Sequence, residues 1–471
     1  MQSEPQQALF SNPEPTSEMG LALTALLGSN KVSDTADARE YHAQDKWYAS
    51  AMPDVVVHAE STDDVVRVMK FAYARRIPVT TRGAGHGYVG GCVPVCGGIV
   101  LNLMRMKSCQ IFPMDGVAVV QPGVITADLQ ASAREIGWDY PPDPASLKDC
   151  SIGGNIATNA GGPRCLKYGV TRHYVLGLEV VTATGEVMRC GGAVHKNKTG
   201  FDLVGLMTGS EGMLGIVTQA TLRLIPKPRS RAMLAAIFPS FENAAAAVQE
   251  VFACGFLPSA LEITDSFTLA AARKRLGNDF LPDGDAHLLL ETDGSEVAVA
   301  ADLAAMRDLL TRVGATFIQE ANDEKGCDAF WKIRREFSYS LRDTGLTKLN
   351  EDIVVPRSKL VELVSYARRL QSESGIAIAC FGHAGDGNIH TNIMVANYSQ
   401  PDVRLRADAL LDQLFTWLLE QGGAITGEHG VGLAKKPWIR QALGDSSFKM
   451  QRAVKQAMDP RNILNPGKWL D

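Results

Sequence analysis

Arg82-Gly-Ala-Gly-His-Gly-Tyr-Val-Gly-Gly91 is the stretch that decides the fold. It runs straight out of a segment, Ile77–Thr81, that predicts a strand. A second predicted strand, Gly98–Leu103, follows it. Five of its ten residues are glycine, so successive amides are uncovered and can form an anion-binding nest. No Gly-Lys-Ser/Thr follows, which excludes a P-loop. The loop leads into a strand and not a helix, which argues against a Rossmann dinucleotide fingerprint.

Upstream, Pro53–His58 reads as a strand. Ser61-Thr-Asp-Asp64 opens a helix with a capping hydroxyl and acids in its first turn. Val65, Val66, Val68, Met69, Ala72 and Tyr73 give that helix an apolar face. Residues 1–18 are polar and contain proline, as a loose tail does, and Leu21–Leu27 predicts a short helix ending at Gly28. Downstream, Val117–Val120 leads through Gln121-Pro-Gly-Val124 into a helix predicted over Thr126–Ile136. The segment from Pro141 to Gly162 has little capacity for regular structure, and a loop of that length inside a domain is usually functional. Leu206–Val217 forms a third glycine cluster. Together the three offer a broad surface of bare amides suited to a pyrophosphate and a polar ring system.

The remaining composition bounds the partners. The chain has 471 residues, room for two or three domains, with 45% apolar and 21% charged residues as in ordinary globular proteins. A net charge of −5 argues against nucleic acid as a partner. Nine cysteines without a CxxC pair suit reduced thiols in a cytoplasmic enzyme, and supply no iron–sulfur ligand set. No apolar run approaches ~20 residues, so no transmembrane segment is expected, and the first fifteen residues do not resemble a signal peptide.

A second constellation carries chemistry. His383-Ala-Gly-Asp-Gly-Asn-Ile-His390 places two imidazoles either side of a Gly-Asp-Gly turn signal. In one straight strand they would face opposite ways, but a reversal at 385–387 can bring both to one side of a hairpin. Thr426-Gly-Glu-His-Gly-Val-Gly432 adds a carboxylate and a third imidazole. His383, His390 and Glu428 make a ligand set for a zinc-like divalent metal (zinc or manganese), with positions left open for substrate. His429 is then placed to act as a base.

Several segments carry a family resemblance. RGAGHGYVGG, QPGV, PPDPASLKDCSIGGNIATNAGGPRCLKYG and GSEGMLGIVTQATLRLIPKP resemble the FAD-binding domain of the vanillyl-alcohol oxidase / p-cresol methylhydroxylase flavoproteins. GHAGDGNIH, TGEHGVG and DPRNILNPGK resemble the branch of FAD-linked D-2-hydroxy-acid dehydrogenases, which includes D-lactate dehydrogenase, D-2-hydroxyglutarate dehydrogenase and the flavin subunit of glycolate oxidase. The resemblance runs from about Pro53 to Trp469.

It implies an α+β architecture: a split FAD-binding domain and a substrate (cap) domain on an antiparallel sheet. The expected division is an N-terminal tail and helix at 1–52, the FAD-binding domain at 53–228, the cap at 229–425 and a segment at 426–471 that returns to the flavin site. Within the cap, Ala232–Phe238 and His287–Glu291 read as strands, and Phe241–Cys254 and Val297–Val313 as helices. Matching motif positions imply that FAD is held by Arg82, Gly83, Gly85, His86, Gly87, Gly90, Gly91, Pro122 and Gly123. Asp143, Ser151, Gly153, Gly154, Asn155, Thr158, Asn159, Gly161 and Gly162 follow, with Glu211, Gly215 and Val217, most of them through backbone amides. His86 departs from the branch, where Thr is common. In some other members of the superfamily a His in this loop is covalently attached to the flavin, so His86 is expected either as an 8α-histidyl link or, since this branch usually binds FAD non-covalently, as a ring packed near the flavin.

The resemblance also implies that Arg334 clamps the substrate carboxylate, with Lys348 as a second anion contact. A guanidinium fork suits that task. Asn350 and Asp352 are expected at a strand end lining the cleft. The implied reaction is oxidation of a D-2-hydroxy acid, D-lactate first, to the 2-keto acid. Electrons then pass to a separate acceptor: a cytochrome, quinone or electron-transfer flavoprotein. Glycolate and D-2-hydroxyglutarate are alternatives, as is a flavin subunit of a multi-subunit complex. A homodimer and a peripheral membrane location through the acceptor stay open.

Overall fold

A computed structural model of the chain describes residues 16–277 and 281–471. The strand–loop–strand reading around residue 82 corresponds to Val79–Arg82 and Ile99–Asn102, paired in parallel, with Val55–His58 on the other side of Ile99–Asn102. A short strand, Val32–Ser33, completes this four-stranded sheet. The helix Thr62–Arg75 starts where the sequence places it: Ser61 Oγ accepts from the amide of Asp64. Its Val65, Val68, Met69 and Ala72 pack on the sheet.

A five-stranded antiparallel sheet follows, in the order Cys109–Phe112, Val117–Val120, Ile216–Arg223, Val175–Val181, Val187–Gly191. Residues 227–229 then carry the chain into a second antiparallel sheet of seven strands. Its order is Phe317–Ala321, Ser230–Phe238, Ala286–Gly294, Ala260–Asp265, Ala377–His383, Asn388–Val395, Thr347–Val354. Helices Phe241–Ala253, Glu296–Arg312, Leu360–Ser374 and Pro401–Glu420 cover one face and close the largest core, with Leu234, Ile263, Leu290, Ile353, Ile378 and Ile393 beneath them. Helices Ser266–Leu276 and Glu324–Arg342 pack on the other face. That face stays partly open and carries the site. The fold is thus α+β, with an antiparallel sheet in its C-terminal part. The chain end returns to the first sheet: Asn465 donates its amide to Val79 O, and Val79 to Ile463 O.

Three expectations need correction. The stretch 141–162 is not wholly irregular, because Ile152–Thr158 is a helix. Ser151 caps it by accepting from the Gly154 amide, and Ile152 and Ile156 are buried beneath it. Burial of that one face overrides the weak propensity of its two glycines and one asparagine. Of the proposed tail, residues 1–15 lie outside the described residues. Thr16 and Ser17 are not loose: both amides are held by Asp34, and Ser17 caps the helix Glu18–Leu27. Finally, Asn350 and Asp352 sit in the middle of a strand, opposite Asn392 and His390.

Candidate active site

Side chains alternate faces along a strand. In Ala377–His383, Ile378 and Cys380 enter the large core, so Ala379, Phe381 and His383 face the other way. Phe381 pairs with His390, which puts His390 on the same face as His383. Glu262, between the core residues Leu261 and Ile263, points there as well. Three neighbouring strands therefore deliver two imidazoles and a carboxylate to one buried surface.

The loop 426–432 brings the rest. Glu428 Oε2 lies 3.6 Å from His383 Nε2, and its Oε1 lies 3.4 Å from His390 Nε2. One potential ligand atom from each of the three residues falls within 4.8 Å of the others. His429 Nε2 is 3.5 Å from Glu428 Oε1, and its ring stacks on His390 with centroids 5.6 Å apart. Tyr88, from the glycine loop, packs on His429 with ring centroids 5.3 Å apart.

Buried carboxylates orient this group. Glu262 Oε1 is 2.6 Å from His383 Nδ1, and its Oε2 accepts from Arg334 Nε at 2.7 Å. With Nδ1–H donated to Glu262, Nε2 of His383 is left facing Glu428, the arrangement by which outer carboxylates orient metal-binding imidazoles. Asp352 Oδ2 accepts from Thr426 Oγ1 and from the amides of Gly427, Glu428 and His429.

Charge states follow from these contacts. Burial raises the Glu262 carboxyl, but His383 and Arg334 outweigh it and hold the pKa at about 2. Burial likewise opposes ionisation of Glu428 and Asp352, and the surrounding imidazoles, with Lys435 beside Asp352, more than offset it. Burial lowers the His390 pKa to about 3, so this ring is neutral, the form that ligates metals. Burial opposes a proton on His383 too, yet Glu262 and Glu428 raise its pKa well above the usual imidazole value. The carboxylates that favour a proton here also favour a divalent cation in its place. Glu428 Oε2 is buried with no hydrogen-bond partner among the described residues, so the donor set fits a metal.

A cavity of about 760 Å³ connects this group to the glycine loops. Gly83, Gly85, His86, Gly87 and Gly91 form one wall, and Pro122, Asp143, Ser151, Gly153, Gly154, Asn155, Thr158 and Gly161 another. Glu211, Gly215 and Val217 also line it, as do His383, His390, Arg334, Glu428 and His429. Among the described residues, the amides of residues 84–88 have no protein acceptor, as an anion-binding loop requires. Burial lowers the pKa of His86 on this wall. The cradle is closely fitted at Gly85, where φ is +71° and a Cβ would lie 2.1 Å from Arg82 Nη2.

Other expected contacts lie off this cavity or are engaged within the protein. Gly90, Gly123, Asn159 and Gly162 do not line the cavity. The Gly123 amide is spent on Met106 O, and a Cβ on Gly162 would meet Asp143 O at 2.4 Å. The Arg82 guanidinium is turned to Gln44 O and Cys92. Lys348 is off the cavity wall as well. Its ammonium donates to Ser338 Oγ, and burial beside Arg342 lowers its pKa to about 8. Arg334 lines the cavity, with Nη1 free of any acceptor among the described residues.

Sequence reasoning missed Glu262. Its one signal was an acid inside an otherwise apolar strand start, Ala260-Leu-Glu-Ile263. It also missed Arg164, which bonds Glu291 through Nε and Nη2 and Asp143 through Nη1, tying the cofactor wall to the seven-stranded sheet.

Comparison with known proteins agrees with this geometry. Residues 53–191 match an FAD binding domain, and residues 227–469 match the C-terminal domain of FAD linked oxidases. The chain belongs to the FAD-linked oxidase family. Among relatives of this oxidase, the glycolate oxidase subunit GlcD of Bacillus subtilis is 39% identical, over 89% of each chain. A D-lactate dehydrogenase of Anaerostipes hadrus is 35% identical, over 93% of this chain and 94% of that one. Solved structures share the fold. p-Cresol methylhydroxylase with substrate bound superposes with a TM-score of 0.78 at 21% identity, covering 95% of each chain. The 4-ethylphenol oxidase of Gulosibacter chungangensis gives 0.77 at 20%, covering 97% of this chain and 98% of that one. This FAD-linked oxidase is therefore a flavoenzyme of the D-lactate dehydrogenase / glycolate oxidase type, with FAD as its cofactor. No helix among the described residues is long and apolar enough to cross a membrane.

Proposed function

We propose that the enzyme oxidises a D-2-hydroxy monocarboxylate, D-lactate foremost, to the 2-keto acid with the help of a divalent metal. The observation that carries this reading is the convergence of His383, His390 and Glu428 beside His429 on the wall of the FAD cavity. Bound FAD supplies the acceptor for the hydride leaving the substrate Cα. A zinc or manganese ion on His383, His390 and Glu428 would supply Lewis acidity to the substrate hydroxyl.

The protein's own residues do the rest. His429 takes the hydroxyl proton at Nε2, and Asp352, 3.8 Å from its Nδ1, stabilises the imidazolium that forms. Arg334 binds the substrate carboxylate through Nη1, held at the right angle by Glu262. Since Lys348 is turned to Ser338, it offers no ready partner for a second carboxylate, which favours a monocarboxylate. The electron pair then leaves to a separate acceptor of the cytochrome, quinone or electron-transfer flavoprotein class.

The names of the relatives favour a second substrate, glycolate. Comparing kcat/KM for D-lactate, L-lactate, glycolate and D-2-hydroxyglutarate with an artificial electron acceptor separates the readings. D-lactate is expected to lead. A preference for D-2-hydroxyglutarate would overturn the monocarboxylate assignment, and no turnover of any would overturn the 2-hydroxy-acid reading.

A further inference from the structure

The loop 426–432 has an unusual source of shape. Every amide from Gly427 to Gly432 donates to a side-chain oxygen. Gly427, Glu428 and His429 donate to Asp352, Gly430 to Thr426 Oγ1, and Val431 and Gly432 to the two oxygens of Glu211 at 2.9 and 2.8 Å. The loop that bears Glu428 and His429 therefore hangs between two buried carboxylates. Asp352 belongs to the seven-stranded sheet, whereas Glu211 belongs to the glycine loop on the flavin side.

Glu211 is itself tightly fixed. Its amide donates to Ala157 O at the end of the helix Ile152–Thr158, and its carbonyl accepts from Asn465 Nδ2 at 2.8 Å. Its φ is +51°, in the left-handed region, where a residue of this shape is uncommon. Neighbouring Gly209 and Gly212, at φ +87° and +72°, adopt positive φ without that cost. A glycine at 211 would make the same turn with less strain. Strain of this kind persists where the surrounding structure requires the side chain, and it concentrates at active sites. What position 211 requires is a carboxylate with two acceptors aimed at 431 and 432.

We propose that Glu211 is a positioning residue that sets the catalytic loop from the flavin side, fixing Glu428 and His429 against the cofactor cavity. This rests on the reading of His429 as the base. Asp352 references the loop to the strand bearing the metal-site histidines' neighbours, and Glu211 references it to the cradle that holds FAD. The pair fixes the distance between the group that takes the proton and the cofactor that takes the hydride. A misplacement of about 1 Å in such a pair costs on the order of a hundredfold in rate. The alternative is that Glu211 is only a staple for the chain end, through its 3.3 Å contact with Trp469 Nε1.

The test uses the FAD-loaded protein carrying Glu211→Gln, in which an NH₂ group replaces one acceptor. Turnover per bound flavin is expected to fall on the order of a hundredfold, with KM little changed and FAD content retained. Amide exchange across 427–432 is expected to quicken. Glu211→Asp keeps both acceptors and the charge but shortens the reach, so it should recover part of the loss. If the Gln variant does not fold, the Asp variant carries the same comparison against wild type. Full turnover per flavin in the variant overturns the proposal, as does loss of FAD with unchanged turnover by the flavin that remains. The reading of His429 fails separately: His429→Ala would then keep its turnover, while faster loop exchange in Glu211→Gln would still support the positioning contact.

Discussion

The glycine-rich loops at 82–91 and 426–432 lie side by side, joined where the amide of Leu433 donates to Val89 O and where Tyr88 packs on His429. They use their backbones in opposite ways. In the first, residues 84–88 line the cavity and their amides meet no protein acceptor among the described residues. In the second, all amides from 427 to 432 are consumed by Asp352, Thr426 and Glu211. A loop with free amides binds through its backbone and needs small side chains. A loop whose amides are spent is rigid, and it presents side chains at fixed positions. Similar composition thus gives a cofactor cradle in one place and, in the function proposed above, a platform for acid–base and metal chemistry in the other.

Substitutions in the two loops should therefore fail differently. The largest effect is expected for His429→Ala. Its turnover with an artificial acceptor should fall by 10²–10⁴, the usual contribution of a general base, with the flavin absorbance per chain unchanged. Loss of FAD in this variant would break the contrast between the loops. Next is Glu262→Gln, which removes the charge facing His383 Nδ1 and Arg334. Divalent-metal affinity, measured by calorimetry on the FAD-loaded protein, should fall about 10–100-fold. Unchanged affinity would mean that His383 needs no orienting partner. Gly85→Ala should have the smallest effect and the opposite signature. A methyl group 2.1 Å from Arg82 Nη2, on a backbone at φ +71°, costs FAD affinity about tenfold and leaves the metal content intact. Fluorescence titration of the apoprotein with FAD measures the first quantity, and elemental analysis the second.

The same contrast explains what could be read from the sequence. The cradle is legible because its signal is local: the strands Val79–Arg82 and Ile99–Asn102 bracket a run of glycines. The placement of His383 and His390 on one side of a hairpin is legible because the turn between them is encoded in Gly385-Asp-Gly387. The residues that hold these groups were not. Glu262 meets His383 across 121 positions, and Glu211 meets Gly432 across 221, so no local periodicity marks either pair. The resemblance assigns Glu211 to the flavin, and it does line the cavity, but no local pattern shows that its amide is spent on Ala157 O and its carboxylate on Val431 and Gly432. The resemblance implies Lys348 as an anion contact, whereas nothing local in the sequence shows that its ammonium donates to Ser338 Oγ. The helix Ile152–Thr158 escaped notice because it is stabilised by packing of Ile152 and Ile156, against the propensity of its glycines.

Metal-assisted oxidation on FAD is the central claim, and anaerobic mixing of the FAD-loaded protein with D-lactate tests it most directly. Bleaching of the visible flavin absorbance reports transfer from substrate to cofactor without any external acceptor. Rapid bleaching is expected in untreated protein, with a slow phase or none after chelation and recovery on adding zinc or manganese. Bleaching at the same rate in protein shown to be free of divalent metal would contradict the account.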